Sequence, residues 1–123
     1  MKYNSLTCRY FEAPAGVGEL SGAGVLRGAA GSLEQGTWVQ FDIQATSGII
    51  TAARFLAFGC PHTIAVAAWL TEQAPGRAVA AALPASIQAI SDLFAVPVPK
   101  LGRLLIVEDA WVAAAAGPAV NKA

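Results

Sequence analysis

Residues 38–58 read WVQFDIQATSGIITAARFLAF, and the alternation of apolar and polar side chains there decides the fold. Val39, Phe41, Ile43 and Ala45 fall on one side; Gln40, Asp42 and Gln44 fall on the other. A period of two is that of a half-buried strand. Thr46, Ser47 and Gly48 supply a turn, and residues 49–58, rich in Ile, Phe and Leu, return as a second strand. Residues 25–30 add a third. Upstream, residues 2–11 form a short helical segment that ends near Pro14. It runs into Gly16, Gly18, Gly22 and Gly24, a turn-rich lead-in.

After Cys60 the period changes. Pro61 suits the first turn of a helix, where its missing N–H costs nothing. Ile64, Ala67, Ala68 and Thr71 then follow helical spacing up to Pro75 and Gly76. Residues 77–83 predict a short helix stopped at Pro84. Ile87, Ile90 and Phe94 mark another, with Ser86 as its N-cap. The last helix carries Leu104, Val107, Trp111 and Ala114 on one face and ends at Gly117 and Pro118. Strands first and helices afterwards is an α+β pattern, a small antiparallel sheet of about three strands covered on one face by helices. All 123 residues are read as a single domain, because the length does not suffice for two.

Composition narrows the function classes. The chain is 55% hydrophobic and 13% charged, against about 25% charge in an ordinary domain, which excludes disorder. Eight basic residues balance eight acidic ones, so nothing electrostatic argues for nucleic acid or an anionic membrane surface. The uncharged run at 55–71 falls short of the roughly 20 residues of a membrane span and holds Gly59, Cys60, Pro61 and His62 in its middle. The N-terminus has no apolar signal region, so the cytoplasm is expected, with Cys8 and Cys60 reduced rather than bridged.

Among chemistry-bearing residues Cys60 says most. At a switch from strand to helix its sulfur meets unpaired N–H groups and the positive end of the helix dipole, which favour a thiolate able to attack or to bind metal. The alternative is a small buried cysteine that packs like a hydrophobe. His62, the only histidine, could join Cys60 as a metal ligand, but a site needs about four ligands. A capping or partly exposed histidine is the plainer reading. Cys8, Trp38, Trp69 and Trp111 read as core; Asp42, Glu108 and Asp109 read as solvated faces. The glycines between 16 and 31 match neither phosphate-binding nor dinucleotide-binding spacing. No carboxylate pair or catalytic triad recommends itself, so an enzyme is not expected.

Several short motifs lie in a telling order. They are Tyr3; Tyr10-Phe11-Glu12 with Pro14 and Val17-Gly18; Gly48-Ile49-Ile50, Ala53-Arg54-Phe55 and Gly59-Cys60; Val96-Pro97-Val98-Pro99-Lys100-Leu101; and Glu108-Asp109-Ala110. In that order the chain resembles the U-type iron–sulfur cluster assembly scaffolds, the IscU proteins and the N-terminal domain of NifU, over nearly its whole length. The resemblance implies the same α+β sandwich.

It also implies a site. The family uses three cysteines, with an aspartate and a histidine nearby, to take up sulfur and iron and hold a cluster, because thiolates are the soft donors such clusters select. Matched by neighbours, the first cysteine falls on Gln35, the aspartate on Thr37, and the histidine–cysteine pair on Gly102 and Arg103. Only Cys60 keeps its sulfur. Arg103 cannot ligate, because its guanidinium stays protonated. The family's loops converge, which would bring Arg103 beside Cys60. The resemblance therefore implies a scaffold-like protein in iron–sulfur cluster assembly that does not hold a cluster alone, with Cys60 as sulfur acceptor or metal candidate and His62 as an accessory ligand. Iron or a cluster could bind through a shared site, for example in a homodimer that joins two Cys60 residues. The alternative is a binding or regulatory module that docks cysteine desulfurase or another assembly partner, although the altered proline motif weakens the case for a chaperone.

Overall fold

The computed structural model describes residues 3–81 and 83–116. Helix α1 (Ser5–Glu12) is capped by Asn4, whose side-chain oxygen accepts from the Thr7 N–H at 2.9 Å. Strands β1 (Leu26–Ser32), β2 (Thr37–Thr46) and β3 (Ile49–Phe58) follow. Helices α2 (Pro61–Gln73), α3 (Ile87–Leu93) and α4 (Leu101–Ala116) complete the chain, with a single 3-10 turn at Val98–Lys100 before α4. The strands form one antiparallel sheet in the order β1-β2-β3.

The β2–β3 hairpin turns on two residues. Ser47 and Gly48 both take positive φ, 51° and 80°, the twist a tight hairpin requires. Val39, Phe41 and Ile43 point to the helical side and are fully buried. Helices α2 and α4 cover that side, with α4 against β1 and β2, and α2 against β3. Leu104, Val107, Trp111 and Ala114 are buried on one face of α4, as their spacing predicts. Helix α2 departs from a one-sided pattern: eight of its residues are buried, because α1 packs over its other flank. The Tyr10 hydroxyl donates to the Glu72 carboxylate across that contact. Among the described residues no helix is long and apolar enough to cross a membrane.

Four expectations need correction. Residues 77–81 do not form a helix. The Ile50 N–H donates to the Arg77 carbonyl and the Val79 N–H to the Gly48 carbonyl, each at 2.8 Å, so this segment satisfies the β3 edge instead. Asp42 is not solvated. It is 1% exposed and takes two hydrogen bonds from Arg27, at 2.7 and 2.8 Å, and one from the Leu20 N–H at 2.9 Å. The glycine-rich lead-in carries that N–H across the sheet's open face, after pairing with β3 through Gly16 and Gly18 at Phe55. Trp38 lies on the open face opposite Phe58 rather than in the core. His62 is 2% exposed, neither a cap nor a surface residue. The expected helix stop at Gly117 and Pro118 lies outside the described residues.

Candidate functional site

Register brings the site together. Trp38 pairs with Phe58, so Thr37 lies beside Gly59 at one end of the sheet, where the chain leaves β3 and enters α2. Thr37 shares the inward parity of Val39 and Phe41 and is 2% exposed. Gln35 sits in the β1–β2 turn at that end, exposed, its N–H held by the Ser32 hydroxyl at 3.0 Å. A Cβ at Gly31 would come within 2.9 Å of the Ile106 side chain, so the hairpin end leans on the first half of α4.

Cys60 is the N-cap of α2, half-buried, with Pro61 as the first helical residue. Its sulfur lies 3.6 Å from the Thr63 hydroxyl. No cap hydrogen bond to the sulfur forms in the strict sense, so the helix acts on it through close partial charge. Burial opposes ionisation of the thiol. The Thr63 N–H and hydroxyl, the Arg103 guanidinium and the His62 N–H outweigh that, and the pKa falls below its ordinary 9.0. Arg103 is thus among the groups that act on the Cys60 thiol. Gln35 and Thr37 share this end of the fold, and Gly102 precedes Arg103 in the first turn of α4 with open space around it.

Two further residues belong to the cluster and were not legible beforehand. The Tyr3 ring meets the His62 ring edge-on at 4.7 Å and carries the Lys100 ammonium 5.3 Å from its centroid. Burial, then Lys100 and then Arg103 push the His62 pKa below 6.5, so the imidazole is neutral near pH 7. Its Nδ1 is buried without a hydrogen-bond partner among the described residues. Lys100 lies three positions before Arg103, which in hindsight is a sequence signal: both cations reach one side of the α4 entrance. Among the described residues, no three His, Cys, Asp or Glu side chains come together as a metal-binding group.

Two outcomes follow from these shifts. Alkylation of Cys60 by iodoacetamide should titrate with a midpoint below 9.0, and Arg103→Ala should move it upward. An unchanged midpoint would remove Arg103 from the sulfur's surroundings. For His62, the folded pKa lies below the unfolded value of 6.5, so the unfolded chain binds the proton first. Stability is therefore complete above about pH 6.5 and falls as pH drops through the window beneath it. Urea midpoints measured across that window should slope down toward acid, and His62→Gln should flatten the slope.

With this geometry in place, the comparisons with known proteins bear on it. The sequence model of the NifU-like N-terminal domain matches residues 2–117. The chain belongs to the NifU-like N-terminal domain family. The nitrogen fixation protein NifU of Cereibacter sphaeroides is 41% identical over 69 residues, 56% of this chain and 28% of that protein. The iron–sulfur cluster assembly protein IscU of Plasmodium falciparum is 30% identical over 80 residues, 65% of this chain and 49% of that one. The matches thus span about a quarter to a half of these relatives' lengths. Solved structures show the same fold. A protein described as an iron–sulfur cluster assembly scaffold for the SUF system, from Fervidobacterium islandicum, superposes with a TM-score of 0.72 at 15% identity over 92% of this chain and 96% of that one. The N-terminal part of a NifU-like protein from Brucella abortus gives 0.66 at 14% identity over 91% and 88%.

Proposed function

We propose that this chain serves iron–sulfur cluster assembly as a non-enzymatic, scaffold-type sulfur acceptor that works through Cys60 and holds no cluster alone. The observation that carries this reading is the meeting of Cys60 with Arg103 at the α2 N-terminus. One residue is a thiol biased toward the thiolate; the other is a cation where the family resemblance implies a third ligand. The donor set does not fit a cluster. One sulfur and one buried histidine fall short of the four donors a cluster takes, and Arg103 repels iron instead of binding it. Sulfur transfer needs only the thiolate. The Cys60 sulfur attacks the outer sulfur of a persulfide on a cysteine desulfurase, a new S–S bond forms at Cys60, the donor's S–S bond breaks, and the donor leaves as a thiolate. A free thiol is required, which places the work in a reducing compartment such as the cytoplasm.

The test is incubation of the reduced chain with cysteine desulfurase and cysteine, followed by intact mass and peptide mapping. One added sulfur on Cys60, absent in Cys60→Ser, is the expected result. Binding of the desulfurase with no sulfur transferred would replace this reading with that of a docking module. The Trp38–Phe58 pair favours that second reading, since Phe58 is 51% exposed two residues before Cys60.

A further inference from the structure

The second half of α4 borders a cavity that the sulfur chemistry does not use. We infer that this cavity binds a small neutral lipophilic molecule of the acyl type, whose carbonyl oxygen accepts from the Trp111 indole N–H. It lies at the opposite end of α4 from Gly102 and Arg103, and the inference is independent of the reading of Cys60.

Size and walls come first. The cavity measures about 440 Å³. One benzene fills a cavity of roughly 150 Å³, and ligand sites run from about 300 to 1,000 Å³. Residues 79–81 and Leu83 form one wall; Trp111, Val112 and Ala115 form the other. The first wall does not collapse onto the second, because it is pinned to the sheet. The Val79 N–H donates to the Gly48 carbonyl at 2.8 Å, and the Ala81 N–H closes a turn on the Ala78 carbonyl at 3.0 Å. The alanines at 80, 81 and 115 are too short to fill the gap from either side. Among the described residues no charged side chain lines it, so an ion entering would shed water and find no counter-charge. The occupant is therefore neutral and mostly hydrocarbon, and walls of Val, Leu and Ala suit a chain that bends to an irregular outline.

Trp111 sets the polar end. It is 6% exposed and packs edge-on against Phe41 at 5.1 Å, yet its indole N–H makes no hydrogen bond among the described residues. A buried tryptophan ordinarily gives that N–H a partner. Nor is the nitrogen sealed in the core: among the described residues, His62 Nδ1 is the only fully enclosed side-chain nitrogen or oxygen left unpartnered. What opening Trp111 has is toward the cavity it lines. A single donor among apolar walls selects a ligand with a single acceptor, and a carbonyl oxygen supplies one without charge.

The experiment titrates the full chain, labelled with nitrogen-15, with 2-decanone and reads the indole N–H signals. There are three tryptophans, and Trp38→Phe and Trp69→Phe remove two of the signals and so assign that of Trp111. The ketone should move the Trp111 signal downfield in a saturable way and leave the other two in place. Decanoate, of equal chain length with a charged head, should bind about tenfold or more weakly. Two variants narrow the cavity from different sides. Ala115→Leu fills it, and Val112→Glu brings a charge to its wall at a position that is 54% exposed and tolerates one. Each should weaken the ketone about tenfold or more. No saturable shift at Trp111 would overturn the inference. Ketone binding unchanged in both variants would place the ligand elsewhere and overturn it too. Decanoate binding as well as the ketone would overturn the neutral ligand class.

Discussion

Replacing Gly28 by alanine should destabilise the protein by about 3 kcal/mol or more, at the upper end for an overpacked contact. Gly28 sits in β1, where α4 crosses it at close range. A Cβ there would stand 2.1 Å from the backbone nitrogen of Ala114, 2.4 Å from the carbonyl carbon of Ala113 and 2.7 Å from the Ala114 Cα. These are backbone atoms of a hydrogen-bonded helix, so no rotamer change relieves the clash. Either α4 lifts from the sheet or β1 bends away. Both expose the layer in which Val39, Phe41, Leu104, Val107 and Trp111 are buried. The urea midpoint should fall with little change in the slope. Gly102→Ala is the matched control: it sits in α4 with nothing within 4 Å of its added carbon, so it should be neutral or stabilise by about 0.5–1 kcal/mol. Equal effects at the two glycines would mean that α4 does not pack on β1 as described.

The same contact shows what a sequence can and cannot reveal. The alternation from Val39 to Ile43, the Ser47-Gly48 turn, Pro61 and the Ser86 cap are local signals, and the structure follows each. The Arg27–Asp42 pair and the lead-in that buries it are not local. Asp42 alternates as an outward residue should, and only a segment passing over the open face turns outward into buried. Residues 77–81 fail for a related reason: an alanine-rich stretch favours a helix by propensity, but the unpaired edge of β3 offers it hydrogen bonds that outrank propensity. At the site, the neighbourhood of Cys60 and Arg103 was legible only through family resemblance, since forty-odd residues separate them in the chain. The surroundings of His62 include the Tyr3 ring and the Lys100 charge, which come from distant parts of the sequence and leave no pattern around His62 itself.

Anaerobic reconstitution with iron and sulfide should leave the wild type colourless after desalting, and Cys60→Ala should look the same. The triple variant Gln35→Cys, Thr37→Asp, Arg103→Cys should instead turn coloured, with visible charge-transfer absorption and iron retained in proportion to chain. Each change exchanges a poor ligand for a soft or anionic donor at the end of the sheet where Cys60 already stands, giving three thiolates and a carboxylate. The change at 103 matters twice over, because it removes a fixed cation as well as adding a sulfur. The variant Gln35→Cys, Thr37→Asp with Arg103 retained should therefore bind little or no iron, although it gains two of the three donors. That difference separates a missing-ligand account from an electrostatic one. A stable cluster in the wild type would show that Cys60 and neighbours suffice without the family's other donors. Failure of the triple variant, in a protein that still unfolds cooperatively, would show that residues 35, 37, 60 and 103 do not close around one point. The first outcome would overturn the reading that this chain holds no cluster alone; the second would remove the claim that these four positions form one site.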